Sequence, residues 1–341
     1  MERCTIIVNA RDRFSSTARC LETLIANTPE PHDLIVVIGG APEHLKQEWR
    51  ACFSKHARFI FEPHFLNQAQ ARNIGLRQAT TRLAVVIDND NFVRSGWLGA
   101  LVRCQQETGA VMVAPLVLET PRKIHTAGCH LYITQEHGKA WGHKELRFHG
   151  MVYADGANLT RQRTDYGELH CLLVEVEPTL RLGAFDERIQ EVGEVDAGLT
   201  WAKHGHDMWF EPASVVYYAL HGPITVDDIR LFAWRWDMRA IWDGYRYFEQ
   251  KWALDITEHG AFRDFLLRYN KQLGLLPRLW PSRVSLALDR WIGQLRQLLV
   301  LVLRLPKALL RSYKARWMGY FAWPTPSRYQ RRLPWLTWME R

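Results

Sequence analysis

Five apolar residues, Leu83 to Ile87, end in Asp88-Asn89-Asp90, so two carboxylates stand one residue apart at the end of a short β-branched run. Such a run, bounded by turn formers, reads as a strand covered on both faces. Ligands of open α/β sheets gather beyond the carboxyl ends of strands of this kind. Two acids there make an oxygen site for a hard divalent cation. Mg²⁺ takes one or two protein carboxylates and fills the rest of its shell with water and phosphate oxygens, so the pattern suits a diphosphate-bearing substrate. An Asx turn closing the strand would use the same residue types, and the pair alone leaves both readings open.

The elements that must position this pair follow from the hydrophobic pattern. Residues 4–8 read as a first strand, the polar turn Asn9-Ala10-Arg11-Asp12-Arg13 follows, and 15–27 reads as a helix. A second strand at 34–38 ends in Gly39-Gly40. Next come a helix near 43–54, a strand at 58–61, a helix near 67–79 and the strand at 83–87. Strands alternating with helices predict βαβ units and a mostly parallel sheet. Further on lie a helix at 97–108, a strand at 110–114, and a Gly- and His-rich section at 125–160 read as loops and antiparallel strands. A helix carrying Glu194 and Asp196 starts after Gly193, Val215 to Tyr218 is a late strand leading to His221, and the chain reads as helical from Val226 onward.

With 341 residues, 47% of them apolar and 23% charged, the chain is globular and long enough for one large domain plus an appendage. Its net charge of +8 is uneven: residues 1–224 carry 23 Lys/Arg against 26 Asp/Glu, and 225–341 carry 21 against 10. The acidic first part argues against a nucleic-acid footprint in the core. Six scattered cysteines with no CxxC read as reduced packing residues. No window reaches the roughly 18 apolar residues of a spanning helix, and no signal-peptide pattern opens the chain, so a cytoplasmic location is expected.

Several segments in order resemble glycosyltransferase family 2 of the GT-A fold: Thr5-Ile6-Ile7-Val8 with Arg11-Asp12-Arg13, Asn67 to Gly75 around Ala71-Arg72-Asn73, Val85 to Asp90 with Gly96-Trp97-Leu98, Leu182 to Glu187, and Glu194 to Leu199, then Gly205, Pro212 and His221. The resemblance implies a Rossmann-like mixed, mostly parallel sheet flanked by helices over 1–224, with 1–95 as the nucleotide-binding half and 96–224 as the acceptor-binding half. Residues 225–341 then form a basic, Trp-rich helical extension. It further implies metal-dependent, inverting transfer of a sugar from a nucleotide-sugar to a hydroxyl of a cell-surface glycan or lipid-linked acceptor. Such a reaction needs a divalent cation, Mn²⁺ or Mg²⁺, for the departing diphosphate and a general base for the attacking hydroxyl.

By match to the family, Asp90 is the direct metal ligand, Asp88 touches the ribose or the metal through water, and His221 is a further ligand. Asn9, Ala10 and Arg11 wrap the nucleotide, with Arg72 and Asn73 beside it. Asp196 is the expected base and Glu194 its rival. Ile38 stands where the family often carries a base-reading Asp, and Thr200 where an Arg is frequent, so the nucleobase is left open. A nucleotidyltransferase would normally open with a glycine-rich phosphate loop, which the segment from Asn9 to Arg13 is not; a non-catalytic binding protein is the remaining alternative. The histidines at 125, 130, 137, 143 and 149 fit no compact zinc spacing and read as lining loops near an acceptor cleft. Residues 278–341, with 13 basic residues, 2 acidic ones and 6 Trp, have the composition of a segment lying on an anionic membrane surface.

Overall fold

Short β-branched runs alternating with amphipathic stretches give the first half its order: β1 (Cys4–Asn9), α1 (Thr17–Asn27), β2 (His32–Gly39), α2 (Glu43–Phe53), β3 (Arg58–Glu62), α3 (Gln68–Gln78) and β4 (Leu83–Asp88). Next come β5 (Asn91–Val93), α4 (Trp97–Thr108), β6 (Met112–Thr120), β7 (Lys123–Thr126), β8 (Cys129–Glu136), β9 (Lys139–Leu146) and β10 (Gln162–Arg163). The rest comprises β11 (Cys171–Glu175), α5 (Val176–Arg181), α6 (Gly193–Lys203), β12 (Met208–Tyr218), α7 (Asp228–Arg235), α8 (Met238–Trp252) and β13 (Leu254–Asp255). The computed structural model describes residues 2–153, 159–219 and 225–256.

The main sheet runs β10-β12-β6-β11-β4-β1-β2-β3, with β5 on β12 and β7 on β6. Strands β1 to β4 pair parallel, as the βαβ pattern predicts. A strand that the sequence pattern does not announce, β11, enters antiparallel between β4 and β6 and makes the sheet mixed. Strand β4 is buried along its whole length. Its side chains alternate between two layers, as the twofold period of a strand requires. Val85 and Ile87 face one way with Ile6, Val8, Trp97 and Leu101, whereas Ala84 and Val86 face the other with Ile7, Leu76 and Trp201. Burying each such aliphatic side chain contributes about 1.5–3 kcal/mol.

Two devices fix α3, the helix that carries Arg72 and Asn73. Its first turn is closed by a reciprocal capping box: Gln70 N–H donates to Asn67 Oδ1 at 2.9 Å and Asn67 N–H to Gln70 Oε1 at 3.0 Å. On its inner face Gly75 lies against β1 so closely that a Cβ would come within 2.2 Å of Ile7 Cγ2. A smaller sheet, β13-β9-β8, is built on the β8–β9 hairpin and accounts for much of the Gly- and His-rich section.

Residues 225–256, which the sequence places with the C-terminal extension, pack with the residues before them. Asp228 at the start of α7 accepts from the backbone N–H groups of Phe14 and Ser15, at 2.6 and 3.1 Å, ahead of α1. At the far end β13 adds a parallel strand to β9. The extension is therefore not wholly helical over this range. Among the described residues no helix is long and apolar enough to cross a membrane. All six cysteines are free, and only Cys52 is exposed. Burial pushes the Cys4 thiol up to about 12, in keeping with packing rather than reactivity.

Candidate active site

The tip of β4 is stapled to the loop after β1 by the residue between its two acids. Asn89 Nδ2 donates to the Arg13 carbonyl at 2.7 Å and to Thr17 Oγ1 at 2.8 Å, while Asn89 Oδ1 accepts from Arg11 N–H at 3.0 Å. Asp88 is anchored on both oxygens. Its Oδ1 accepts from Asn9 Nδ2 at 2.8 Å and Arg72 Nη2 at 2.6 Å, and its Oδ2 from Gln68 Nε2 at 2.8 Å. Arg72 is itself buried and also donates to the Leu169 carbonyl at 2.9 Å. Burial pulls its guanidinium downward, and the adjacent Asp88 opposes that pull.

Asp90 is less committed. Asn91 Nδ2 donates to its Oδ1 at 2.9 Å, and Arg11 Nη1 reaches its Oδ2 at 3.4 Å, longer than a tight charge-assisted bond. Burial pushes this carboxyl up to about 7; Arg11 resists the rise and Asp88 adds to it. An imidazole, that of His170, lies beside the pair: one ligand atom from each of Asp88, Asp90 and His170 falls within 4.8 Å of the others. The side-chain oxygens of Asn9 and Asn91 are buried here without a hydrogen-bond partner. Carboxylates and amide oxygens short of a donor are the chemistry that a hard divalent cation satisfies, so these residues fit such an ion. His221 lies outside the described residues, as does the segment 278–341.

The structure distributes the other expected residues unevenly. Ala10 is buried and Arg11 partly so, with Arg11 also bonded to the Tyr218 hydroxyl at the end of β12. Asn73 faces away from the acids and ties α3 to the chain before α6, donating to the Phe185 carbonyl at 2.8 Å and accepting from Phe185 N–H at 3.0 Å. Ile38 is a core residue. Beyond it Gly39 and Gly40 pass beneath the 64–66 segment, where a Cβ would meet the His64 carbonyl oxygen at 2.3 Å and the Phe65 ring at 2.4 Å.

On α6 the two acids have different surroundings. Asp196 is buried, with Lys251 Nζ at 3.0 Å from Oδ2 and Trp252 Nε1 donating to Oδ1 at 2.7 Å. Burial lifts its carboxyl, and Lys251 and Trp252 draw it back. Glu194 is only partly buried and pairs with Lys144 of β9 at 3.0 Å. Burial alone would pull Lys144 down, yet Glu194 keeps it raised, and the charge of Glu168 adds to the effect.

Four contributors go beyond the sequence reading, which places His125 only on a loop near an acceptor cleft and does not name the other three. Arg235, from α7, is buried; its Nη2 donates to Gln68 Oε1 at 2.8 Å and Glu191 Oε1 at 2.5 Å, while its Nε and Nη1 have no partner. Since Gln68 holds Asp88, a single side chain separates Arg235 from the acidic tip. His170 and Glu168 precede β11, and the His170 ring stacks on Tyr218 with centroids 4.0 Å apart. The fourth, His125, carries Glu119 at 3.1 Å on Nδ1 and Glu168 at 2.7 Å on Nε2. The histidines lack a zinc spacing in the sequence, but His125 meets His170 and Glu168 through the fold. The signal available for His170 was its position, one residue ahead of the apolar run Cys171 to Val174.

Residues 5–156, less than half of the chain, match the profile described as glycosyl transferase family 2. No curated protein matches the chain. Among solved structures the chain is similar to the crystal structure of GalNAc-T7 with UDP, GalNAc and Mn²⁺, with a TM-score of 0.51 and 15% identity over 79% of this chain. It spans 55% of that chain, about half its length. At this identity the likeness concerns the fold, and the fold is that of the GT-A glycosyltransferases, as the sequence resemblance implies.

Arg72 and Asp88 form a buried ion pair, and removing one partner leaves an uncompensated charge. Arg72→Met should lower stability in urea unfolding by about 3–5 kcal/mol, with much of the loss recovered when Asp88→Asn is added. A single-variant loss under about 1 kcal/mol would place the pair with solvent-screened ones.

Proposed function

We propose that the chain is an inverting glycosyltransferase that moves a sugar from a nucleotide-sugar donor to a hydroxyl of a glycan or lipid-linked acceptor. The observation that carries this reading is the buried Asp88–Asp90 pair at the end of β4, in a chain whose residues 5–156 match glycosyl transferase family 2. The UDP, GalNAc and Mn²⁺ named for the similar solved structure support a nucleotide-sugar donor, a glycan acceptor and a Mn²⁺-type ion; Mg²⁺ has the same oxygen preference. When bound, the ion would neutralise charge building on the leaving diphosphate. Asp90 would hold it directly, Asp88 through water, and His221 as the further ligand.

Each remaining residue has a share of the work. Asn9, Ala10 and Arg11 would receive the nucleotide over the loop after β1. With Ile38 buried and glycines following it, no carboxylate reads the nucleobase at that edge. Arg72 and Asn73 position the site by holding Asp88 and Phe185. Arg235, whose Nε and Nη1 have no partner, would donate to the diphosphate beside Gln68. Glu194 is assigned as the base that takes the acceptor proton, since it is partly exposed while both oxygens of Asp196 are engaged by Lys251 and Trp252. A base acting across from the leaving group gives inversion at the anomeric carbon.

The basic, Trp-rich residues 278–341 would lie on an anionic membrane surface at the cytoplasmic face, close to a lipid-linked acceptor.

Three measurements test this reading. In a thermal-shift panel of UDP, dTDP, GDP and CDP with and without Mn²⁺, one nucleotide should stabilise the protein only with the metal, and Asp90→Asn should abolish the response. No response to any nucleotide would remove the proposal. Glu194→Gln should lower kcat by about 10²- to 10⁴-fold while Asp196→Asn keeps more than about a tenth of turnover; the opposite ranking would return the base to Asp196. Deletion of 278–341 should release the protein from anionic vesicles while preserving the metal-dependent thermal shift. Unchanged vesicle binding would refute the membrane assignment.

A further inference from the structure

Beside the acidic tip, and sharing His170 with it, lies a group with the makings of a cation site. His125 of β7, Glu168 and His170 offer one ligand atom each, all within 4.8 Å of one another. His125 and His170 are 8% and 7% exposed. The Tyr218 ring covers both imidazoles, with centroids 5.1 Å from His125 and 4.0 Å from His170.

The hydrogen bonds of His125 define which of its atoms is available. Its Nδ1 faces Glu119 Oε1 at 3.1 Å, so the proton on that nitrogen is directed to a carboxylate. The other nitrogen, Nε2, stands 2.7 Å from Glu168 Oε2. Neither atom makes a hydrogen bond of acceptable geometry, and both are buried. With Nδ1 as the protonated nitrogen, Nε2 and the carboxylate are two lone-pair atoms facing each other, a contact that a proton satisfies at this separation and a metal ion at a wider one. His170 Nε2 completes the group at 3.4 Å from the same carboxylate oxygen. A carboxylate that takes one imidazole N–H while the opposite nitrogen ligates is the usual outer support of a metal-bound histidine.

We propose that His125 Nε2, the Glu168 carboxylate and His170 Nε2 bind a second divalent ion of zinc type, oriented by Glu119. The donor set separates this ion from the one expected at Asp90: imidazole nitrogen suits Zn²⁺ and its neighbours in the series, whereas carboxylate and water suit Mg²⁺ and Mn²⁺. On a tetrahedral zinc, with bonds of about 2.0–2.2 Å, two ligands stand about 3.3 Å apart. The separation between His170 and Glu168 already has that value, and the pair His125–Glu168 opens by roughly half an ångström. Three protein donors leave a fourth position for water or a ligand. The proposal does not depend on the glycosyltransferase reading.

The test uses the untagged full chain, stripped with a chelator and titrated calorimetrically with Zn²⁺ alone. One strong site per chain is expected, kept in Asp90→Asn and not displaced by excess Mg²⁺. Glu168→Gln and His125→Gln should each weaken it by more than about 100-fold, and Glu119→Gln by about 10- to 100-fold. No uptake, undiminished uptake in the first two variants, or loss in Asp90→Asn would overturn the assignment. In zinc-soaked wild-type crystals the anomalous peak should lie between His125 Nε2 and Glu168, independent of how any variant folds; a peak only at Asp90 would also refute it.

Discussion

Burial of the Asp88 carboxylate is the constraint around which the site is arranged. A charge at the end of a fully covered strand must find cations and donors within the protein, because leaving it uncompensated costs several kcal/mol. Asn9, Gln68 and Arg72 supply them from β1 and α3. The same contacts set where β1, α3 and β4 stand relative to one another at their functional ends. With Asp88 saturated, Asp90 is left as the acid with capacity to spare, and Arg235 reaches the tip only through the Gln68 that Asp88 already holds. A demand for electrostatic compensation thereby also divides the work between two chemically identical side chains.

Much of the fold was legible because its signals are local. The β-branched runs of β1, β2 and β4, the 3.6-residue spacing of Thr17, Cys20, Leu21 and Leu24 on α1, and the turn formers between them need no knowledge of distant residues. Asp88, Asp90, Glu194 and Asp196 were legible as acids at element ends. What the pattern could not carry was direction and encounter. Nothing in the apolar run of β11 says that it enters antiparallel, and that entry is what delivers His170 to the tip of β4.

His125 and Glu168 are 43 positions apart in the numbering and meet through the pairing of β6 with β7 and β11. Arg235 shares the face of Leu231 and Phe232 on α7, but its residue type usually belongs at the surface. Its burial follows from tertiary contacts with Gln68 and Glu191. The resemblance to a known family singles out Asp196 and Glu194 alike, and that only Asp196 is clasped by α8 is a fact of packing alone.

That clasp bears on the order in which the molecule can be completed as it leaves the ribosome. Asp196 sits 55 residues ahead of the lysine that neutralises it and 56 ahead of the tryptophan that donates to it. Domains condense from the N-terminal side at the pace of translation. The nascent chain thus carries α6 with an unmatched acid until α8 has cleared the exit tunnel, and the arrival of α8 brings the helix bearing Glu194 to charge balance.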